Sequence, residues 1–568
     1  MRHFQWPRTV RFSRRAIVAW VVTGFFLPLS YLTWHILGWP ADIRMAHDTT
    51  RLTSPLTDDG YIDFIRVIRE DAQQATKVKD DPWFILFENE RLQGRSPPHG
   101  VQRATSQWDQ IVYRDPVAAF TNSLGEADKS IEGYQRIHDF ENVTIPARQQ
   151  MPFTKTDDAL LAEVIEGNAD WYEAIQKSYS PSPLPVEFPG GTKPRPQRTA
   201  GMIRLDIHGD CSRMSKRFQL RSMLRAGEGD LVGALEDLGF TFNVATRLDQ
   251  PPSFIIATMV ATVIEKNACN SAIKQVLLAK ELPPQVCEQL EQFPQGSTFS
   301  KLAAQLDTIE RYVQLDVIQG MHAGKCGEMD GIAFTGPDAY LKSRRLWHAI
   351  DWNLAMRHQN EFFDTLIAAI DKPTWREQSA AIEAMRQNSA FIPRYFERSI
   401  NDVPLWSNED LTPHLEDHLL ANRHFKSNDF VESIHLRDLR RRVIQIVARL
   451  AMWRQIHSRF PDRLQSVQSV PGFSVASSAL LIDPFSGEEL VYTATNEGFA
   501  LSTVGPNMQK EEGGVEECSI HEVDNRETRH PDDHIWRWPP VEKLEERNRE
   551  PGKSANAGTS VGESHSVK

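Results

Sequence analysis

From Ala16 to Trp39 the chain reads AIVAWVVTGFFLPLSYLTWHILGW, twenty-four residues without a formal charge. A bilayer core is crossed by roughly 20 mostly apolar residues at helical rise, so this run predicts a transmembrane helix over 16–39. Trp20 near one end and Tyr31, Trp34 and Trp39 near the other suit the membrane interfaces. Arg2, Arg8, Arg11, Arg14 and Arg15 precede the run with no acid among them, whereas Asp42, Arg44 and Asp48 follow it as a mixture. That asymmetry places residues 1–15 in the cytoplasm as a basic segment and residues 40–568 outside it. The competing reading is a cleaved signal peptide, but the exit Leu37-Gly38-Trp39-Pro40-Ala41 lacks a small-x-small cleavage site. In both readings the main body is exported.

Beyond the run, apolar residues return at helical spacing. Tyr61, Phe64, Ile65 and Ile68, then Leu160, Leu161, Val164 and Ile165, make 40–180 a broken, membrane-proximal helical region. Six prolines and two glycines within 181–197 mark 181–198 as a semi-rigid linker. The stretch 199–430 carries the clearest pattern. One helix closes at Gly227-Glu228-Gly229, and Asp230 caps a second whose apolar residues are Leu231, Leu235, Leu238, Phe242 and Ala245. Pro251-Pro252-Ser253 opens a core helix with the apolar run Phe254 to Ile264, and further helices follow at about 271–280, 284–292, 299–318 and 340–370.

The texture changes in 431–540. A helix from about Leu436 to Ser458 turns Leu436, Leu439, Val443, Ile446, Leu450 and Trp453 inward, while Arg437, Arg440, Arg441, Arg442, Arg449 and Arg454 read as a solvated basic face. Leu490–Tyr492 and Phe499–Leu501 alternate with period two around Asn496-Glu497-Gly498 and predict a β-hairpin. Residues 541–568 are polar and predict a disordered tail. The expected fold is mainly α: a membrane-anchored array of helical pairs ending in a small C-terminal α/β domain, the latter an independent unit.

Two resemblances add to this reading. LRAGEGDLVGALEDL, with small residues at a tight helix crossing, resembles one tetratricopeptide hairpin, with no second copy at that family's period. The order helix, F-P-x-x-L, D-P-F-S-G, G-F-x-L-S-x-V-G-x-N, E-E-G-G and D-D-x-I resembles the C-terminal half of the type II secretion major pseudopilin. It is also similar to the same cassette at the end of exported proteins of planctomycete-type bacteria. The pseudopilin likeness implies a calcium loop, with Asn507, Glu511, Glu512, Asp532 and Asp533 as the matching oxygen donors. Asp483 and Asp533 as turn caps are the structural alternative. Pseudopilins keep a glutamate in their apolar helix. Ala16–Trp39 has no acid, so only the C-terminal fold is implied, not pilin processing or assembly.

Charge and chemistry narrow the function. A formal charge of −12 argues against nucleic acid, whose phosphates demand a basic face. Of the five cysteines, Cys269 and Cys287 on neighbouring helices are the best disulfide pair outside the cytoplasm, with buried thiols as the alternative. His414 and His418 share a helix face but lack the H-E-x-x-H order of zinc peptidases. Asp351-Trp352-Asn353 with His348 falls inside a predicted helix and reads as packing. Cys211, in HGDCSR, has no glycine-rich elbow to make it a nucleophile. No cofactor motif is present, no cofactor is required, and the catalytic residues are unknown. The expectation is a non-catalytic interaction or scaffold protein of the cell envelope, held by residues 16–39 and binding a protein partner. The alternative is an exported hydrolase with a carboxylate or histidine site in the helical body.

Overall fold

The computed structural model describes residues 42–75, 113, 115–124, 135–136, 139–179, 206–250, 253–293, 299–323, 348–387, 412, 427–495, 498–508, 515–516 and 534–538, with Thr23, Phe26, Leu27, Leu29 and Ser30 from the apolar run. Most of Ala16–Trp39 therefore lies outside the described residues, as do the proline-rich linker and the 541–568 tail. Among the described residues no helix is long and apolar enough to cross a membrane.

The protein is mainly helical with a small sheet near its C-terminus. The helices are α1 (Phe64–Ala75), α2 (Pro116–Leu124), α3 (Ile145–Gln150), α4 (Ala159–Glu166), α5 (Ala169–Lys177), α6 (Asp206–Gly227) and α7 (Leu231–Leu248). They continue with α8 (Ile255–Leu278), α9 (Pro284–Gln292), α10 (Phe299–Gln305), α11 (Arg311–His322), α12 (Trp352–Ile370), α13 (Trp375–Gln387) and α14 (Ser427–His457). Strands β1 (Val491–Ala494), β2 (Phe499–Ser502), β3 (Val515–Glu516) and β4 (His534–Trp538) form a sheet in the order β1-β2-β4-β3. The first three in that order are antiparallel, and the two-residue β3 joins β4 in parallel.

The α6–α7 hairpin forms where its turn chemistry places it. Gly229 takes a left-handed φ of +90°, which a side chain disfavours. Asp230 then accepts from Gly233 N at 2.9 Å to cap α7. Gly227 permits a close crossing, since a Cβ there would stand 1.9 Å from the carbonyl oxygen of Phe153. Between the helices, Arg221 Nε donates to Asp237 at 2.8 Å while its guanidinium lies 4.0 Å from the Tyr172 ring of α5.

The expected helices over Phe254–Ile264 and 271–280 are a single one, α8. Its polar interval, which reads as a break in the apolar pattern, is a buried seam against α6. Gln219 Nε2 donates to Ser271 Oγ at 2.7 Å, and Gln275 Nε2 donates to Ser222 Oγ at 2.6 Å. The 340–370 helix is also corrected. The chain breaks at Ile350–Asp351, and Asp351 caps α12 by accepting from Leu354 N at 2.9 Å. Trp352 is buried, as packing requires.

Hydrophobic clusters run across the boundaries drawn from sequence. Tyr113, Phe153, Trp171 and Tyr172 share a core with Phe218, Phe240 and Val244, on the far side of the linker. Ile43, Ile62 and Phe64 pack instead with Leu315, Ile318 and Trp352. Side-chain amides strap that leading segment down: Asn353 Nδ2 donates to Asp42 O at 3.0 Å, Asn360 Nδ2 to Thr49 O at 2.6 Å, and Gln319 Oε1 accepts from Ile62 N at 2.9 Å. The largest cluster holds Leu235, Leu238 and Phe242 of α7 together with Leu439, Val443 and Leu450 of α14 and Leu501 and Trp536 of the sheet. The 430/431 boundary thus falls inside one continuous core.

Within the C-terminal region the expected hairpin forms, its first strand running later than expected, over Val491–Ala494, with Tyr492 opposite Leu501. Asp483 is the buried organiser of the D-P-F-S-G turn. Its Oδ1 accepts from Phe485 N at 2.9 Å, and its Oδ2 accepts from Thr503 Oγ1 at 2.8 Å and from Val504 N at 3.0 Å, which ties the turn to the end of β2.

Candidate functional site: an arginine-lined cleft

The helix expected from Leu436 starts earlier, at Ser427, and its basic face is not solvated. Arg437, Arg440, Arg441 and Arg449 are buried, leaving Arg442 half-buried and Arg454 exposed. A helix packed on all sides must bury its polar stripe as well as its apolar one, and buried guanidiniums need carboxylates. Helix α8 and the end of α7 supply them. Glu265 Oε2 accepts from Arg437 Nε at 2.7 Å and Arg441 Nε at 2.9 Å, Glu265 Oε1 accepts from Arg441 Nη2 at 2.7 Å, and Asp249 Oδ2 accepts from Arg437 Nη1 at 2.8 Å. Burial by itself would raise the Glu265 carboxyl, but Arg437 and Arg441 hold it below its ordinary value.

Further along α14, the side chains of Arg441, Gln445 and Arg449 recur every fourth residue on one helix face. They floor a cleft of about 400 Å³ between α14, α9 and the loop 474–480. Each charged wall is braced. Arg449 Nη1 donates to Ser474 O and Nη2 to Glu291 Oε1, both at 2.9 Å, and its guanidinium stands 4.7 Å from the Phe473 ring. The same Glu291 oxygen also accepts from Ser474 N at 2.7 Å and Ser474 Oγ at 2.8 Å. Arg442 Nη1 donates to the carbonyls of Ala479 at 3.0 Å and Ile482 at 2.9 Å, while its Nη2 meets Asp438. Burial lowers the Arg449 guanidinium from its ordinary value, against the pull of Glu291.

Gln445 differs from these neighbours. It is 5% exposed and lines the cleft, and no described residue donates to or accepts from its amide. Arg449 Nε is likewise buried without a partner. At the rim, Val475 is 80% exposed, an apolar side chain at the mouth of a polar floor.

Sequence reasoning did not find this site, because its walls come from three separated stretches of chain. The signal that was present is the four-residue spacing Arg441–Gln445–Arg449, which read as a solvated face. Of the residues singled out for calcium, Asn507 is described, whereas Glu511, Glu512, Asp532 and Asp533 lie outside the described residues, as do His414 and His418. Among the described residues no group of three or more His, Cys, Asp or Glu is placed to hold a metal.

The cysteines are corrected too. Cys211, Cys269 and Cys287 are buried thiols, and no disulfide joins Cys269 to Cys287. Burial pushes the Cys211 thiol up to about 12 and the Cys287 thiol up to about 11, so neither forms a thiolate at neutral pH. Iodoacetamide at pH 7.5 is expected to leave Cys211 and Cys287 unmodified in the native protein and to label both within minutes in denaturant. Peptide mass spectrometry reads the result, and rapid native labelling of Cys211 would revive it as a nucleophile.

His435 faces the same restriction. Its imidazole lies 2.7 Å from Gln378 Oε1 and among the rings of Trp375 and Phe485, and burial, aided by Arg442, lowers it to about 4. It is therefore neutral and sealed off. No protein-family model, curated protein or solved structure matches the chain.

Proposed function

We propose that the chain is a non-catalytic interaction protein of the cell envelope. In this reading residues 16–39 anchor it in the membrane, the N-terminus stays in the cytoplasm, and the extracytoplasmic helical body holds a protein partner at the α14 cleft. The observation that supports this best is the state of the charged groups there. Glu291 Oε1 accepts three donors and Asp438 Oδ2 meets Arg442, so both carboxylates help to hold the site rigid. A rigid, pre-braced surface is what recognition needs, since little ordering cost remains when the partner arrives. The strap 42–63 pinned to α11 and α12 also supports the reading, because it ties the residues next to the anchor to the body.

A photo-crosslinking residue at Val475 is expected to give a discrete protein adduct in intact cells that is missing when the same residue replaces the exposed Glu173 of α5. Identical adducts at both positions, or none at Val475, would overturn the partner assignment. A hydrolytic activity abolished by Glu291→Gln or Asp438→Asn would favour the enzyme instead.

A further inference from the structure

We infer that the α14 cleft is a binding site for a small organic oxyanion, a carboxylate or phosphate headgroup carrying a short hydrocarbon portion. The inference goes beyond a protein partner and does not depend on one. Four observations converge on it. The volume, about 400 Å³, falls within the roughly 300–1,000 Å³ usual for small-ligand sites.

Its lining has three guanidiniums, Arg441, Arg442 and Arg449, against two carboxylates, Asp438 and Glu291. Each of these guanidiniums is itself held by a carboxylate, Arg441 by Glu265, Arg442 by Asp438 and Arg449 by Glu291, so the floor is paired in charge and selects a ligand by its donors rather than by excess charge. A guanidinium carries five N–H donors and no acceptor, and its fork suits carboxylate and phosphate oxygens.

The third observation is Gln445. Its side chain is largely covered, yet its amide keeps accessible surface in the cleft and has no partner there among the described residues. Gln445 lies between Arg441 and Arg449, one helical turn from each, so its NH₂ can donate to the same ligand. The last is the rim. Val475 is 80% exposed beside Leu480, which gives a hydrocarbon tail an apolar seat at the mouth while the head reaches the floor.

The test uses the purified full-length chain in mild detergent, titrated calorimetrically with sodium acetate, sodium hexanoate and inorganic phosphate at constant ionic strength, with chloride as control. Saturable binding of one equivalent is expected from at least one oxyanion, and hexanoate should bind at least threefold tighter than acetate if the rim seats the tail. The acetate and phosphate arms assign the headgroup. Gln445→Leu, which keeps the side-chain volume and removes the amide, should weaken binding at least tenfold. Val475→Trp, at an exposed loop position that leaves the core untouched, should block it. Circular dichroism melting of both variants verifies that they fold.

Absence of saturable binding by all three probes overturns the inference, as does binding that both folded variants retain unchanged. Because the readout is a small-molecule isotherm, its failure leaves the crosslinking result at Val475 standing, and failure of the crosslink leaves the isotherm standing.

Discussion

Replacing Glu265 with alanine is expected to destabilise the helical body by about 3–5 kcal/mol, the usual cost of leaving buried charge uncompensated. Glu265 is 1% exposed and accepts from both Arg437 and Arg441, themselves 2% and 6% exposed. Truncation leaves Arg441 without this carboxylate and Arg437 with Asp249 alone. The pair should not be read as net stabilisation. Replacing Glu265 by leucine together with Arg437→Met and Arg441→Met is expected to recover most of the loss, since well-packed apolar groups often equal or exceed a buried ionic cluster.

The pH dependence has a definite sign. The native Glu265 carboxyl sits below its ordinary value of 4.5, so its contribution is complete above 4.5 and is lost as the pH falls through the lowered native value. Wild type should lose this increment on acidification, and Glu265→Gln should not. Urea unfolding followed by circular dichroism measures both effects. A loss under about 1 kcal/mol for Glu265→Ala would mean that water reaches the arginines and the seam is not sealed.

What the sequence discloses about this fold is what local chemistry decides. Gly229 and Asp230 set the α6–α7 turn within a few residues, and the alternation on either side of Asn496-Glu497-Gly498 marks the hairpin, though not its register. Trp352 and Leu235 carry their burial in their own apolarity. Elements that depend on distant partners were misread. Arg437 meets Glu265 and Asp249 across 172 and 188 residues. No window on α14 contains those acids, so solvent is the default reading of a basic face. The polar interval of α8 failed in the same way. Glu265 and the residues up to Asn270 separate the two expected helices, yet Glu265 is buried and bonded to α14, and Ser271 and Gln275 just beyond are buried and bonded to α6. The cleft follows from both misreadings, since its floor is the arginine stripe and its walls belong to α9 and the 474–480 loop.

The same long-range dependence decides whether the C-terminal region folds alone. Residues 427–540, produced as a fragment, are expected to give no cooperative thermal transition, despite carrying a 31-residue helix and all four strands of the sheet. Helix α14 buries Leu439, Val443, Ile446 and Leu450 and also Ile444, Val447 and Ala448, so apart from the stripe that floors the cleft most of its length is covered. The sheet and the turns at Leu464–Ser469 and Ser478–Leu481 cover one part of that surface. Helices α8, α9 and α13, all outside the fragment, cover the rest. Excision would expose those apolar residues and strip Arg437, Arg441 and Arg449 of Glu265 and Glu291, so apolar and ionic losses act together. The expected fragment keeps far-ultraviolet helical signal, lacks near-ultraviolet signal and binds a hydrophobic dye, as a collapsed but unpacked chain does. Adding the complementary piece 40–426 should restore a cooperative melt. A sharp transition from the fragment alone would show that the sheet suffices to cover α14, and the continuous core through Leu235 and Leu439 would then be a docking surface between two folding units.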